Sequence, residues 1–251
     1  MDSVEILGCR LDLIDQNEAT DAILRFAREG SSALVVTLGT EMVVYAQRDP
    51  AFRSVINDSA LSLCDTVGVL AVARQHGAAL RERVTGVELV ERLCQGAAKE
   101  GLPVYFLGGA EGVAADAAAI LEVRFPGLIV AGTRNGFFSS EEEAAIVEAI
   151  RSSGARLLFV GLGSPRQETW LARNLRATGC GAGVGVGGSY DIISGRLKRA
   201  PLIWRKFGIE WLYRLMREPH RWRRQLALPY FAWLVALDRL GVHPQKGTNE
   251  K

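Results

Sequence analysis

Short apolar runs recur along the chain, each followed by a glycine-containing or polar stretch before the next begins. They lie at Ala33–Leu38, Leu61–Cys64, Val104–Leu107, Leu128–Ala131, Leu157–Val160 and Ala182–Val186. Runs this short, with little polar alternation, predict strands buried on both faces. Between them, Gly86–Lys99, Gly112–Phe125 and Ser140–Ser152 repeat apolar positions at the helical period. Upstream, Val4–Leu7 and Arg10–Ile14 read as a short β opening. Asp15 and Glu18 then form a D-x-x-E capping box ahead of a helix over Ala19–Arg28. Two-sided strands that alternate with helices imply a mostly parallel sheet with helices on both faces, so the predicted fold is α/β and Rossmann-like.

In such sheets ligands bind beyond the carboxyl ends of the strands. The chain places Thr37-Leu38-Gly39, Cys64-Asp65-Thr66, Leu107-Gly108-Gly109, Gly161-Leu162-Gly163 and Gly185-Val186-Gly187-Gly188 at those ends. Glycine repeated at strand-to-helix turns lets a ligand approach the backbone and offers helix N-terminal amides to phosphate. A phosphorylated ligand is therefore expected.

At 251 residues and 48% apolar content the chain can bury a full core. It divides into an α/β domain over 1–195 and an appendage over 196–251. Charge sharpens that division. Residues 196–224 hold ten Lys/Arg against Glu210 and Glu218, a net of +8 where the whole chain is +2. Trp204, Phe207, Trp211, Tyr213 and Trp222 are threaded through it. Arginine mixed with tryptophan suits phosphate, lipid headgroups or nucleic acid, and a solvated helix face is the plain alternative. Pro201 opens a helix on which Trp204, Phe207, Trp211 and Leu215 form one stripe, read first as packing on the body and secondly as a membrane contact. The apolar run Leu226–Leu237 has twelve residues and contains Pro229, against about twenty needed to span a bilayer. It suits an interface rather than a span.

The four cysteines lie far apart and only three histidines accompany them, so neither a disulfide framework nor a zinc site is expected. The opening residues carry Asp2, Glu5, Asp12 and Asp15 and no apolar run of signal-peptide length, which predicts a cytoplasmic body.

Two rival functions are weak. Gly108-Gly109-x-x-Gly112 follows a strand and opens a helix, but a dinucleotide fingerprint needs G-x-G-x-x-G and an acid about twenty residues on. The next strand ends at Ala131-Gly132-Thr133-Arg134 with no acid. Nucleic-acid binding is opposed by an acidic body and by a tail that ends in an apolar run.

Taken together, Thr37-Leu38-x-x-Glu41, Asp65-x-x-Gly68, Arg83-Val84-x-Gly86, Phe106-Leu107-Gly108-Gly109, Asn135-Gly136-Phe137-Phe138, Gly161-Leu162-Gly163-Ser164-Pro165-x-Gln167-Glu168, Gly185–Asp191 and Lys198-Arg199-Ala200-Pro201 stand in one order. This pattern resembles the WecG/TagA/CpsF family of bacterial glycosyltransferases, from the opening strands to about Arg224. The resemblance implies transfer from a UDP-sugar donor to a saccharide on a polyprenyl diphosphate, with inversion, in cell-wall, teichoic acid or exopolysaccharide synthesis. N-acetylmannosaminyl transfer is the activity associated with the family. A nucleotide-sugar or dinucleotide binding protein without glycosyl transfer is the alternative class.

Inversion needs a base and a means of holding the departing diphosphate. The resemblance makes Asp65 the base. From position alone, capping a helix that starts at Val67 is equally open. Thr37 would hydrogen-bond donor or acceptor, or serve simply as a β-branched strand residue. Gly109 and Gly187 would let substrate approach the backbone, although turn geometry alone also explains them; Gly39 is a substrate-binding candidate, and Gln167 and Asp191 match positions that the family places near the donor, although either suits a helix cap. Arg83 is a candidate for a phosphate or carboxylate on the strength of its motif, where an isolated arginine would more often be a surface residue. Arg214, Arg221 and Arg224 correspond to basic appendage residues that would meet the leaving diphosphate.

The chain departs from the family pattern at Gly39, where asparagine is common, and at Thr66, where glycine is common. Both flank the expected sugar pocket, so hexoses and uronic acids stand beside N-acetylmannosamine as donor candidates. No acidic pair of the kind that carries Mg²⁺ stands at a strand end, so no cofactor is expected. The appendage is expected to hold the protein on the inner face of the cell membrane, and it also suits self-association into a homo-oligomer.

Overall fold

The computed structural model describes residues 2–80, 82–201, 204, 210–217, 222 and 226–241. The chain opens with an antiparallel hairpin, β1 (Ser3–Ile6) and β2 (Cys9–Asp12), turned by Leu7 and Gly8 at φ 49° and 81°. The main sheet has six strands: β3 (Ala33–Leu38), β4 (Leu61–Cys64), β5 (Val104–Gly108), β6 (Val130–Arg134), β7 (Leu157–Gly161) and β8 (Ala182–Gly185). Their order is β4-β3-β8-β7-β5-β6, and every pair is parallel.

Helices cover both faces. They are α1 (Gln16–Glu29), α2 (Thr40–Ala46), α3 (Pro50–Asn57), α4 (Val67–Gln75), α5 (Gly86–Glu100), α6 (Val113–Arg124), α7 (Glu143–Ser152), α8 (Arg166–Thr178) and α9 (Ser189–Ile193). Among the described residues the appendage adds α10 (Glu210–Arg217) and α11 (Ala227–Arg239). Successive strand residues point to opposite faces. Val35, Leu63, Phe106, Phe159 and Val184 pack against α1, α5, α6 and α9. On the other face, Val36, Leu38 and Cys64 meet the hairpin, α2, α3, α4 and α11, while Tyr105, Leu107, Leu158 and Val160 meet α7 and α8. Two-sided burial is why the strands read as unbroken apolar runs, and the predicted α/β class holds.

The Asp15 capping box forms as the sequence predicts. Its Oδ1 accepts from the amides of Asn17 and Glu18, and the Glu18 carboxylate accepts from the Asp15 amide. Two boundaries differ from expectation. β6 begins at Val130 rather than Leu128, because Leu128 closes the preceding turn by donating to the Phe125 carbonyl. As the edge strand, β6 is half-buried throughout, so its Gly132-Thr133-Arg134 end carries no apolar signature. The predicted helix Ser140–Ser152 opens as a 3₁₀ turn over Ser140–Glu142, capped by Ser139, before α7 begins.

The described parts of the appendage lie on the body. Arg196 grips Asp116 Oδ2 through Nε and Nη2 at 3.1 and 2.6 Å, and Arg199 pairs with Glu88 at 2.6 Å. Two of the ten basic residues in the run are therefore already engaged. In α11, Phe231 and Val235 join the cluster formed by α2, α4 and the hairpin. The opposite side of that helix leaves Trp233 half exposed, with Leu226 and Leu240 exposed beside it. The Trp204–Leu215 stripe is also partly open to solvent, with Trp211 exposed and Trp204 edge-on to Tyr213. Phe207, Arg221 and Arg224 lie outside the described residues, and Arg214 is placed only as a backbone position of α10.

Candidate active site

The carboxyl ends of β4, β3, β8, β7 and β5 open on one side of the sheet, where α2, α4, α5, α6, α8 and α9 begin. None of these six helices has a side-chain hydrogen bond from its own N-cap residue. By contrast, α1 and α3 are closed by Asp15 and Asp49. Uncapped helix starts converging on one crevice give a positive field suited to an anion.

Side chains from neighbouring strand ends cover part of that set. Asp65, just past β4, accepts the Gly86 amide at the first residue of α5 through Oδ1 at 3.1 Å. It does not cap the helix that starts at Val67, because the N-cap of α4 is Thr66. Backbone bonds on both sides fix the height of this carboxylate. The Asp65 amide donates to the Leu38 carbonyl at 3.1 Å, and the Val84 amide donates to the Cys64 carbonyl at 2.7 Å. The neighbouring Cys64 offers no competing nucleophile, since burial first, and then the Asp65 charge, pushes its thiol up to about 12.

Arg83 is part of this corner rather than a surface residue. Its Nη1 donates to the Asp65 carbonyl at 3.3 Å, and its Nη2 stands 3.9 Å from Glu210 at the start of α10. Both side chains are largely buried. Arg83 thus ties the appendage to the residue beside which the predicted chemistry takes place.

Thr37 is buried, and its hydroxyl donates to the Gly185 carbonyl at 2.9 Å, joining the ends of β3 and β8. Gln167 is also internal. Its Oε1 accepts the Gly187 amide at 3.0 Å, and its Nε2 donates to Glu168 at 2.7 Å. Both polar ends of the Gln167 side chain therefore hold protein groups. Glu168 is fully buried. Burial raises its carboxyl above the ordinary glutamate range, opposed by the Gln167 amide.

The glycines divide by cause. Gly187, at φ +52°, has open space where a side chain would stand, as a ligand approach requires. Gly109, at φ +70°, donates to the Gly161 carbonyl and accepts from the Gly136 amide, and a side chain there would crowd Val113 at 3.1 Å. Its geometry is that of a packed turn. The Asp191 carboxylate lies at the start of α9, with Oδ2 3.6 Å from the position of a Gly188 side chain, on the rim of the same crevice. Gly39 and Thr66 face each other across the floor.

The structure thus brings Thr37, Gly39, Asp65, Arg83, Gln167, Gly187 and Asp191 to one side of the sheet, with Gly109 at its β5 end. Two residues that the sequence did not single out complete the corner. Glu210 touches Arg83, a contact between distant segments with no local signal. Glu168 was legible as part of a motif, but its burial was not. Among the described residues no group of three His, Cys, Asp or Glu stands together as a metal cluster would.

Fold and crevice define a doubly wound α/β protein that presents a carboxylate, an arginine and helix N-termini at the ligand-binding edge of its sheet. Residues 4–245 match the family described as "Glycosyl transferase WecG/TagA/CpsF family". The chain is 32% identical over 240 residues to the N-acetylglucosaminyldiphosphoundecaprenol N-acetyl-beta-D-mannosaminyltransferase of Bacillus spizizenii, covering 94% of this chain and 92% of that protein. The chain belongs to the WecG/TagA/CpsF family of glycosyltransferases.

Proposed function

We propose that the protein transfers a sugar from a UDP-sugar to a saccharide carried on a polyprenyl diphosphate, with inversion and with Asp65 as the base. The observation that carries this reading is the Asp65 carboxylate. It is fixed at the N-terminus of α5, just past the end of β4, with the Arg83 guanidinium on its backbone carbonyl. In the reaction, an acceptor hydroxyl gives its proton to Asp65 as its oxygen bonds to the anomeric carbon. The bond from that carbon to the phosphate oxygen breaks, and UDP leaves with the electron pair. The acceptor class follows the bacillary relative, which acts on N-acetylglucosaminyldiphosphoundecaprenol.

In this reading no metal ion takes part, and guanidinium groups and helix amides meet the charge of the leaving diphosphate. Arg214, Arg221 and Arg224 are the candidates from the appendage, whose helix α10 is held at Arg83 by Glu210. The outward side of α11, with Leu226, Trp233 and Leu240 exposed, rests on the lipid headgroups of the inner leaflet. No helix among the described residues is long and apolar enough to cross a membrane.

The test is release of UDP from a panel of UDP-sugars, with and without a polyprenyl-diphosphate-linked N-acetylglucosamine, in buffer containing EDTA. Acceptor-dependent release with an inverted linkage is expected. Binding without release would leave a nucleotide-sugar binding protein, and release that needs an added divalent cation would refute the metal-free step.

A further inference from the structure

Glu168 is cut off from solvent, and a buried carboxyl is a costly way to fill space unless hydrogen bonds satisfy it. Its neighbour in sequence holds it. Glu168 Oε1 accepts from Gln167 Nε2 at 2.7 Å, and the opposite end of the same amide, Gln167 Oε1, accepts the Gly187 amide at 3.0 Å. The three groups form a chain that runs from inside α8 to the turn between β8 and α9.

That turn needs holding. Gly187 and Gly188 stand in succession there, and glycine has the most backbone freedom to lose. The residues on either side are fixed by the fold. The Val186 amide donates to the Val160 carbonyl at 2.9 Å, and the Val186 carbonyl accepts from the Ser189 amide and hydroxyl at 3.1 and 2.6 Å. Gly187 itself is tied through Gln167, while the direction its side chain would take is open space.

A carboxamide turns end for end about its last torsion with almost no change of shape. Turned round, the Gln167 amide would set its NH₂ against the Gly187 N–H, donor against donor. Glu168 opposes that state, because an acceptor oxygen at 2.7 Å matches the NH₂ end of the amide and not the carbonyl end. The pair is also packed tightly against the end of β8. A Cβ on Gly185 would stand 2.8 Å from Gln167 Nε2 and 3.2 Å from Glu168 Oε1, so the glycine there leaves the room that the two side chains occupy. The Gly185 carbonyl in turn takes the Thr37 hydroxyl.

We infer that Glu168 is a positioning residue of the donor site. By fixing which end of the Gln167 amide faces Gly187, it holds the β8–α9 turn in the form that receives the donor's nucleotide. The identity of that ligand rests on the glycosyl-transfer reading above, whereas the hold on the turn does not.

The experiment compares full-length wild type, Glu168→Met, Glu168→Gln, Gln167→Met and the double methionine variant. It reads amide hydrogen exchange, UDP binding by calorimetry, and donor KM and kcat, with thermal unfolding alongside. Methionine keeps the volume and removes the acceptor. Glu168→Met should speed exchange at Gly187 by at least about fivefold, with the Val186 and Gly86 amides unchanged as internal controls. It should also weaken UDP binding and raise donor KM by at least about fivefold, a larger factor than the fall in kcat. Glu168→Gln keeps an oxygen for the Gln167 amide and should recover most of both losses. In the Gln167→Met background, Glu168→Met should add little to either. Faster exchange at Val186 and Gly187 alike, a loss that Glu168→Gln does not recover, additive losses, or faster exchange at Gly187 with UDP affinity unchanged would each overturn the inference and leave glycosyl transfer intact. Failure of the wild type to bind UDP would instead refute the transfer reading, and with it the ligand assigned to this turn.

Discussion

Asp65→Asn separates chemistry from architecture, because asparagine keeps an oxygen where Asp65 Oδ1 accepts the Gly86 amide at 3.1 Å. The hydrogen bond that ties β4 to α5 survives, and the charge and the proton acceptor are lost. A positioned general base is worth about 10² to 10⁴ in rate. At about 1.4 kcal/mol per tenfold, that corresponds to about 3 to 5 kcal/mol of transition-state stabilisation. The structural cost is much smaller. Removing a negative charge from a helix N-terminus costs about 0.3 to 1 kcal/mol, or about 2 to 4 °C at most in a domain of this size. The assay is single-turnover transfer to a lipid-linked acceptor at saturating donor, run beside thermal unfolding of the same preparations. A fall in kcat of at least about a hundredfold, with donor KM little changed, is expected. Full activity in the variant would refute the base assignment, and so would a loss of activity that merely follows a large loss of stability.

Glu168 gives a pH test. Its folded-state carboxyl titrates above the ordinary glutamate range because burial penalises the charged form. Over that window the folded protein binds more protons than the unfolded chain, so wild-type stability falls as pH rises from the unfolded value towards the folded one. Glu168→Gln should flatten the fall of the unfolding midpoint as pH rises above the ordinary glutamate value, and an unchanged slope would refute the burial argument. Gly161→Ala places a methyl 2.8 Å from both the Gly187 carbonyl and the Tyr190 ring, so it should cost about 1 to 3 kcal/mol and weaken donor binding through the β8–α9 turn; an unchanged melting curve and KM would count against that packing. Replacing Leu226, Trp233 and Leu240 together by serine should release the protein from anionic liposomes in co-sedimentation without lowering its melting point, since these side chains point outward. Equal sedimentation would remove the membrane face. Truncation after Ser194 is the poorer variant for that question, because it also strips Phe231 and Val235 from a core cluster and should unfold the neighbouring α2 and α4.

The sheet was legible because a strand buried on both faces leaves no polar alternation, which is why Ala33–Leu38 and Leu157–Val160 stand out in the bare sequence. The edge strand was displaced for the converse reason, since Gly132-Thr133-Arg134 need only half-burial. At the site, glycine-rich strand ends pointed to the right side of the sheet, and Asp65 and Arg83 were recognisable from their motifs. What those motifs could not carry is partnership. That Gln167 faces inward to Glu168 and Gly187, or that Arg83 meets Glu210, depends on segments brought together only by folding. The basic run was misleading in one respect, for Arg196 and Arg199 are spent on Asp116 and Glu88. A sequence count cannot separate a surface charge from one that staples the chain to its own body.

The polar residues at the strand ends share a habit that bears on how the site should be dissected. Asp65 holds the Gly86 amide, Thr66 holds the Thr40 amide, Gln167 holds the Gly187 amide, and Thr37 binds the Gly185 carbonyl. Each therefore closes a backbone group on a neighbouring strand or helix before any substrate arrives. Fixing groups in this way reduces reorganisation when charge develops, the condition under which electrostatic stabilisation is most effective. It also means that an alanine at any of these positions removes a structural bond together with a chemical function, leaving a buried amide or carbonyl without its partner at a cost of about 1 to 3 kcal/mol. Activity lost by such variants carries little information about chemistry. Substitutions that keep the backbone bond and change only the remaining capacity of the side chain, such as Asp65→Asn and Thr37→Ser, are the ones whose kinetics can assign roles, whereas Gln167→Glu would set a second carboxylate against the buried Glu168 that the Gln167 amide now binds.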